Sequence, residues 1–340
     1  MAAVGASVVP LSVGAPAAAG GSVFARAVAR ICAGHFAPAL GRIVYVRAGA
    51  SARTALEVLR AHGLSAVPVF KSSVIATEFG SMPSRRCARE TTLGFVDVMD
   101  AAGAVLHRAL LDWDREAAAD VGGIINFSGE DAFVAVTVEA PLVEVVAHFA
   151  RGVHRVAVVA GLGARSRQLL SVISQGDFML WAAAQFRSFG SLGRQSLRAL
   201  GLTTGGVVAA ASSDPARVAL KTMLEGRLSG LPIVDDVGVL LTGISVSDCR
   251  YLASLDDAII ADELERACLD FVMSLRERRG AHPTPVYAVR ADDSLEVAVA
   301  IMTAARVHRV FVVDHAYRPT AVVTMSDACR AILEYSGMGR

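Results

Sequence analysis

Two copies of one tetrapeptide, Val153-His154-Arg155-Val156 and Val307-His308-Arg309-Val310, constrain this chain more than anything else in it. Each copy opens a short apolar run, and each is followed by a hydroxyl-x-x-Asp group. These groups are Ser174-Gln175-Gly176-Asp177 and Thr324-Met325-Ser326-Asp327. The two His residues stand 154 positions apart and the two Asp residues 150 apart. Such spacing implies duplication, so whatever fold one half adopts the other must repeat. The repeated residue types suit a nucleotide: cations meet phosphate, and a carboxylate accepts ribose hydroxyls.

The duplicated pattern resolves into four copies of one unit. Each reads as a short strand, an amphipathic helix, a buried strand, a turn, a second strand and the start of a second helix. The first helices are predicted over Thr54–Leu64, Leu142–Val153, Ala216–Leu228 and Ser294–Val307. In the last of these, Leu295, Val299, Met302 and Ala305 share one face. The buried strands follow at Ala66–Phe70, Arg155–Val159, Leu231–Val234 and Arg309–Val313. The second strands end in Asp97–Asp100, Ser174–Asp177, Ser245–Asp248 and Thr324–Asp327.

Pro68 and Pro232 lie 164 apart but Asp100 and Asp248 only 148, so the first unit carries about sixteen extra residues. Lys71–Thr92, polar and containing Pro83, is expected to hold them as a surface loop. The units are placed at 42–110, 131–190, 200–256 and 283–336, after a tail and leading helix over 1–41. They form modules of about 42–190 and 200–340, with the glycine-punctuated Ser188–Gly206 as junction.

Composition narrows the function classes. The hydrophobic content of 54% and mean hydropathy of +0.48 raise a membrane question. Polar residues interrupt every apolar run well before about 18 residues, so no transmembrane helix is expected. A net charge of +1 argues against nucleic-acid binding by bulk electrostatics. Five scattered Cys without a CxxC indicate neither a disulfide framework nor a zinc site. No phosphate-loop signature, HExxH or nucleophile elbow occurs, so no catalytic and no metal-ligating residues are assigned. His35, His62, His107, His148, His282 and His315 read as surface or packing residues. No acidic residue precedes Glu57. A cytoplasmic or nuclear protein is expected, or a plastid or mitochondrial one if this acid-poor start is a transit peptide.

The corners between second strand and second helix carry the chemistry. Ser or Thr three residues before Asp is a plain capping arrangement. Recurrence of Asp at all four corners favours a further role as ribose acceptor, with phosphate at the helix start. The His-Arg pairs supply cations, and each charge-assisted bond to phosphate contributes about 1.5–3 kcal/mol. A few such bonds account for micromolar binding, about 8 kcal/mol.

Units of this design, ending in Ser/Thr-x-x-Asp with Gly shortly before the hydroxyl, resemble CBS domains, which pair into Bateman modules. Gly243-Ile244-Ser245-Val246-Ser247-Asp248 fits that pattern. Four such units with Val-His-Arg-Val in the second and fourth look like the gamma regulatory subunit of AMP-activated and sucrose-non-fermenting-related kinases. Arg227–Asp235 and Val307–Asp314 carry the likeness further, and Ser188–Gly201 resembles the plant branch. The resemblance implies an α/β fold of four CBS repeats, paired into two Bateman modules that form a pseudo-fourfold disk. It implies AMP, ADP or ATP as regulatory ligands, with Asp177, Asp248 and Asp327 at riboses and His154, Arg155, His308 and Arg309 at phosphates. Ser174, Ser245 and Thr324 are the corner hydroxyls, and Ser229 stands at the entry to the third buried strand. In the first unit Asp97 replaces the hydroxyl and Ser65 the basic residue, so a weak or empty site is expected there.

The implied function is a non-catalytic, adenine-nucleotide-sensing subunit partnered by a kinase catalytic subunit and a beta scaffold. The alternatives are a stand-alone double-Bateman regulator of another partner and a scaffold whose nucleotide sites have decayed. An enzyme with an appended CBS pair fails on length, since four units leave no room for a catalytic barrel of about 250 residues.

Overall fold

Short Val- and Ile-rich runs become strands here because each is covered on both faces, and each is joined to its parallel neighbour by a helical crossover. The computed structural model describes residues 31–36, 42–71, 79–83, 91–110, 120–126, 133–161, 168–278, 280 and 285–336. Most of the expected tail and leading helix lies outside these residues. Ala33–Phe36 forms one helical turn (α1).

The first unit runs β1 (Arg42–Arg47), α2 (Ala52–Ala61), β2 (Ala66–Phe70), β3 (Phe79–Pro83), β4 (Thr92–Asp97) and α3 (Val98–Leu110). The second runs β5 (Ala135–Thr137), α4 (Leu142–Ala150), β6 (Arg155–Val159), β7 (Leu169–Ser174) and α5 (Gln175–Ala184). The third is β8 (Ala210–Ala211), α6 (Ala216–Glu225), β9 (Gly230–Val234), β10 (Leu240–Ser245) and the short α7 (Val246–Cys249). Two connector helices, α8 (Asp257–Glu265) and α9 (Cys268–Glu277), then lead to the fourth unit. That unit is β11 (Ala288–Arg290), α10 (Leu295–Ala305), β12 (Arg309–Val313), β13 (Pro319–Thr324) and α11 (Met325–Tyr335). In every unit the buried strand is parallel to the first strand and antiparallel to the second.

One expectation needs correction. The extra residues of the first unit are not all loop: Phe79–Pro83 pairs antiparallel with β1 and makes that sheet four-stranded. Pro83 is tolerated because it ends β3, an edge strand, where prolines in sheets are confined. The glycine-punctuated junction is itself packed into the core. Phe189, Leu192 and Leu197 are fully buried, and Leu197 N donates to Asp293 O at 2.9 Å. Its apolar residues, rather than its glycines, decide the packing.

Units one and two meet sheet to sheet, with Tyr45, Phe70 and Phe95 against Phe133, Ala157, Val159 and Leu169. Units three and four meet likewise through Leu240, Phe311 and Val313. The larger cores lie between the halves. Helix α4 of unit two packs on α11 of unit four, and α10 of unit four packs on α5 of unit two. Unit one answers in kind: α3 packs on α6 of unit three, and α2 on the 3-10 turn Arg250–Ser254 that follows α7. Gln175, buried at the start of α5, donates from Nε2 to Ser326 Oγ in α11 at 2.8 Å, a further tie between units two and four. A fully buried Leu or Phe contributes about 1.5–3 kcal/mol, so these helical faces carry most of the closure. Among the described residues no helix is long and apolar enough to cross a membrane.

Candidate functional site

Strand register places the first residue of each buried strand opposite the corner at the end of the second strand. Arg155 faces Ser174, Arg309 faces Thr324, Gly230 faces Ser245 and Ala66 faces Asp97. The preceding residues are therefore equivalent as well: His154 and His308 in units two and four, Ser65 and Ser229 in units one and three. Each His is pinned by its backbone to the start of its unit's second helix. His154 O accepts from Gln175 N at 2.9 Å, and His308 O accepts from Met325 N at 3.0 Å.

Closing the four units brings these strand starts together. A cavity of about 290 Å³ is lined by His154, Arg155 and Ser174 of unit two, Ser229, Ser245 and Asp248 of unit three, and His308 and Arg309 of unit four. Ser65 and Asp97 form the wall given by unit one. Arg309 donates from Nη2 to Ser229 Oγ at 2.5 Å, across the contact between units three and four. Gly230 makes this reach possible, because a Cβ there would lie 2.1 Å from Arg309 Nη1 and 2.6 Å from Ile244 O.

Asp177, Asp327 and Thr324 do not line this cavity. Asp177 borders a separate hollow of about 460 Å³ with Ile31, His35, Phe36, Leu180 and Trp181. All four corner aspartates act first on their own helices. Asp177 Oδ2 accepts from Ser174 N at 2.9 Å, Asp248 Oδ2 from Ser245 N at 2.9 Å, and Asp327 Oδ2 from Thr324 N at 2.9 Å. In unit one Asp100 accepts from Asp97 N at 3.1 Å and Asp97 Oδ1 from Asp100 N at 2.8 Å. The recurrence of Asp thus has a local cause: at the third helical position a carboxylate reaches back to the cap residue's N–H, closing a capping box.

Sequence reasoning missed three cavity arginines. Arg250 donates to Leu64 O at 3.1 Å and to Ser247 O at 3.2 Å, tying unit three to unit one. Its place two residues after Asp248 was a usable signal. Arg306, at the end of α10, holds a left-handed backbone with φ 54° and ψ 42°. Arg276 comes from connector helix α9, outside the repeat, so repeat logic held no signal for it. It is buried, and its Nε meets Asp248 Oδ1 at 3.0 Å while Nη2 meets Oδ2 at 3.1 Å. It also donates to Thr242 Oγ1 at 3.0 Å and Gly243 O at 2.5 Å. At the fourth corner Asp327 Oδ1 instead accepts from Arg330, half exposed, at 3.0 Å.

The electrostatics of the cavity are cationic. His308 opens onto it, yet the protein crowded around its ring pushes the imidazole down to about 4, helped by Arg309, His154, Arg155 and Arg250. It is neutral near pH 7 and offers one donor and one acceptor nitrogen. Burial first, and then nearby Asp248 and Asp214, push the thiols of Cys249 and Cys268 up to about 12, so they stay protonated. Among the described residues no cluster of His, Cys, Asp and Glu could hold a metal ion.

Residues 201–244 and 282–334 match the CBS domain family. The fold is one of CBS repeats. CBS domains are generally regulatory and non-catalytic, and no catalytic family is indicated. A Methanocaldococcus jannaschii protein described as a putative archaeal homolog of g-AMPK superposes with a TM-score of 0.66 at 17% identity, covering 88% of this chain and 99% of its own. That likeness concerns the fold alone. Similar sequences include Protein SDS23 of Eremothecium gossypii, 27% identical over 57% of this chain and 42% of its own length. Protein SDS23 of Pyricularia oryzae is 30% identical over 54% of this chain and 35% of its own. This chain therefore spans well under half of either relative.

Proposed function

We propose that this chain is a non-catalytic regulatory subunit that binds adenine nucleotides in its central cavity. The observation that carries the reading is the convergence of His154, Arg155, His308, Arg309 and Arg250 on one cavity from three different units. Arg155, Arg309 and Arg250 facing one space repel one another, and a bound anion relieves that repulsion, while His308 offers a neutral hydrogen-bonding nitrogen beside them. AMP, ADP and ATP supply the phosphate, and the resemblance in the His-Arg repeats favours adenine. Asp177 and Asp327, the ribose acceptors that the resemblance implies, stand outside this cavity, as does Thr324, whereas Ser174 lines it, so the ribose of a centrally bound nucleotide is not routed through those two aspartates in this reading.

The likeness to kinase gamma subunits supports a kinase catalytic subunit and a beta scaffold as partners. The relatedness to Protein SDS23 favours a second reading, a double-Bateman regulator of a different partner. Isothermal titration of the full chain with AMP, ADP and ATP, with GMP as control, tests the ligand. Saturable micromolar binding of the adenine nucleotides is expected, and no binding at millimolar ligand overturns the proposal. Affinity purification from cells decides the partner: recovery of kinase and beta subunits supports the first reading, and their absence beside another stoichiometric protein supports the second.

A further inference from the structure

Asp248 is the single corner aspartate of units two to four that faces the central cavity, and both of its oxygens are engaged. Oδ2 accepts from Ser245 N and Oγ at 2.9 Å each, and Arg276 takes Oδ1 and Oδ2 in a bidentate pair. The pair is buried, Asp248 at 3% exposure and Arg276 at 8%. A carboxylate so occupied cannot also accept two ribose hydroxyls without releasing a buried guanidinium, an unfavourable exchange. Asp97, the other acidic residue on the wall, is buried and tied to the backbone of Asp100. The positive side is larger: five arginines line the cavity against these two aspartates. Its volume, about 290 Å³, lies at the small end of the roughly 300–1,000 Å³ of pockets that enclose a whole ligand.

We infer that the central cavity is a polyphosphate subsite, which recognises a chain of phosphates without gripping a ribose, and that Arg276 is the residue that removes Asp248 from sugar recognition. The inference deepens the proposed nucleotide site but does not depend on the base. Affinity then follows negative charge. A monophosphate brings about two charges and a triphosphate more, and each added phosphate meets further cations from units two, three and four. The nucleoside of a bound nucleotide extends out of the cavity.

The test is titration of the full chain with inorganic tripolyphosphate, ATP, 2′-deoxy-ATP and AMP at fixed ionic strength. Tripolyphosphate is expected to bind within about tenfold of ATP, 2′-deoxy-ATP within about threefold of ATP, and AMP at least tenfold more weakly. Arg309→Ala, checked for native circular dichroism, is expected to weaken tripolyphosphate and ATP together by tenfold or more. ATP binding without tripolyphosphate binding, or a tenfold loss with 2′-deoxy-ATP, overturns the inference and leaves the nucleotide reading intact. Tripolyphosphate binding without ATP binding supports the inference and removes the nucleotide reading. Absence of binding by either anion overturns both.

Discussion

Units three and four share one scaffold yet resolve the same two positions in opposite ways. At the strand start, unit four has His308 and Arg309 where unit three has Ser229 and Gly230. The Arg309 guanidinium lies in the space a side chain at position 230 would fill, so unit three has no cation of its own there and makes room for its neighbour's. At the corner, both units close a capping box with Asp. Asp248 then meets a buried arginine from a connector helix, whereas Asp327 meets an exposed one three residues on in its own helix. A repeated motif therefore fixes local geometry, and what packs on it fixes chemical availability.

The largest effect is expected from cutting the buried pair. Arg276→Met should destabilise the chain by about 3–5 kcal/mol, because it strands a buried carboxylate; denaturant unfolding checks this. A loss below 1 kcal/mol would mean that Asp248 is not buried as a charge. Next, Gly230→Ala should cost about 1–3 kcal/mol through overpacking against Arg309 and Ile244, and should weaken polyanion binding in the same titration. Asp327→Asn, which perturbs an exposed-side capping box, should cost about 1 kcal/mol, read as a small melting shift. A pH series separates the strand starts. His308 has its pKa lowered in the folded state, so the unfolded chain binds more protons between about pH 6.5 and 4, and stability falls as pH drops through that window. His308→Asn should flatten that slope, whereas Ser229→Ala should leave it unchanged. The smallest effect is expected at Arg330→Ala, within about 0.5 kcal/mol, since the pair is exposed to solvent.

Much of this architecture was legible in the residues. The buried strands at Ala66–Phe70, Arg155–Val159 and Arg309–Val313 fall where the apolar runs place them, because such short runs between turn residues have no alternative use in a core. The His-Arg repeats marked residues that share one cavity. Helix ends were less legible: the first helices stop two to three residues before their predicted ends, the last residues closing as turns. Strand β3 was hidden because edge pairing with β1 leaves little trace in hydropathy. The difference in availability among the corner aspartates was not legible at all. Asp177, Asp248 and Asp327 look alike in the chain, and Arg276 comes from a segment that the repeat does not contain.

The helix contacts between halves have a symmetry that bears on the chain's history. First helix meets second helix in both directions between units two and four, and units one and three follow the same pattern, α3 on α6 and α2 on the turn that continues α7. Reciprocal contact of equivalent surfaces is the mark of an isologous interface, the kind a two-fold axis generates in a homodimer. The chain thus behaves as a dimer fused into one polypeptide, with the 188–206 segment as its tether. Fusion freed the two former copies to diverge, and that freedom is what let the corner of unit one carry Asp97 where its counterpart in unit three carries Ser245.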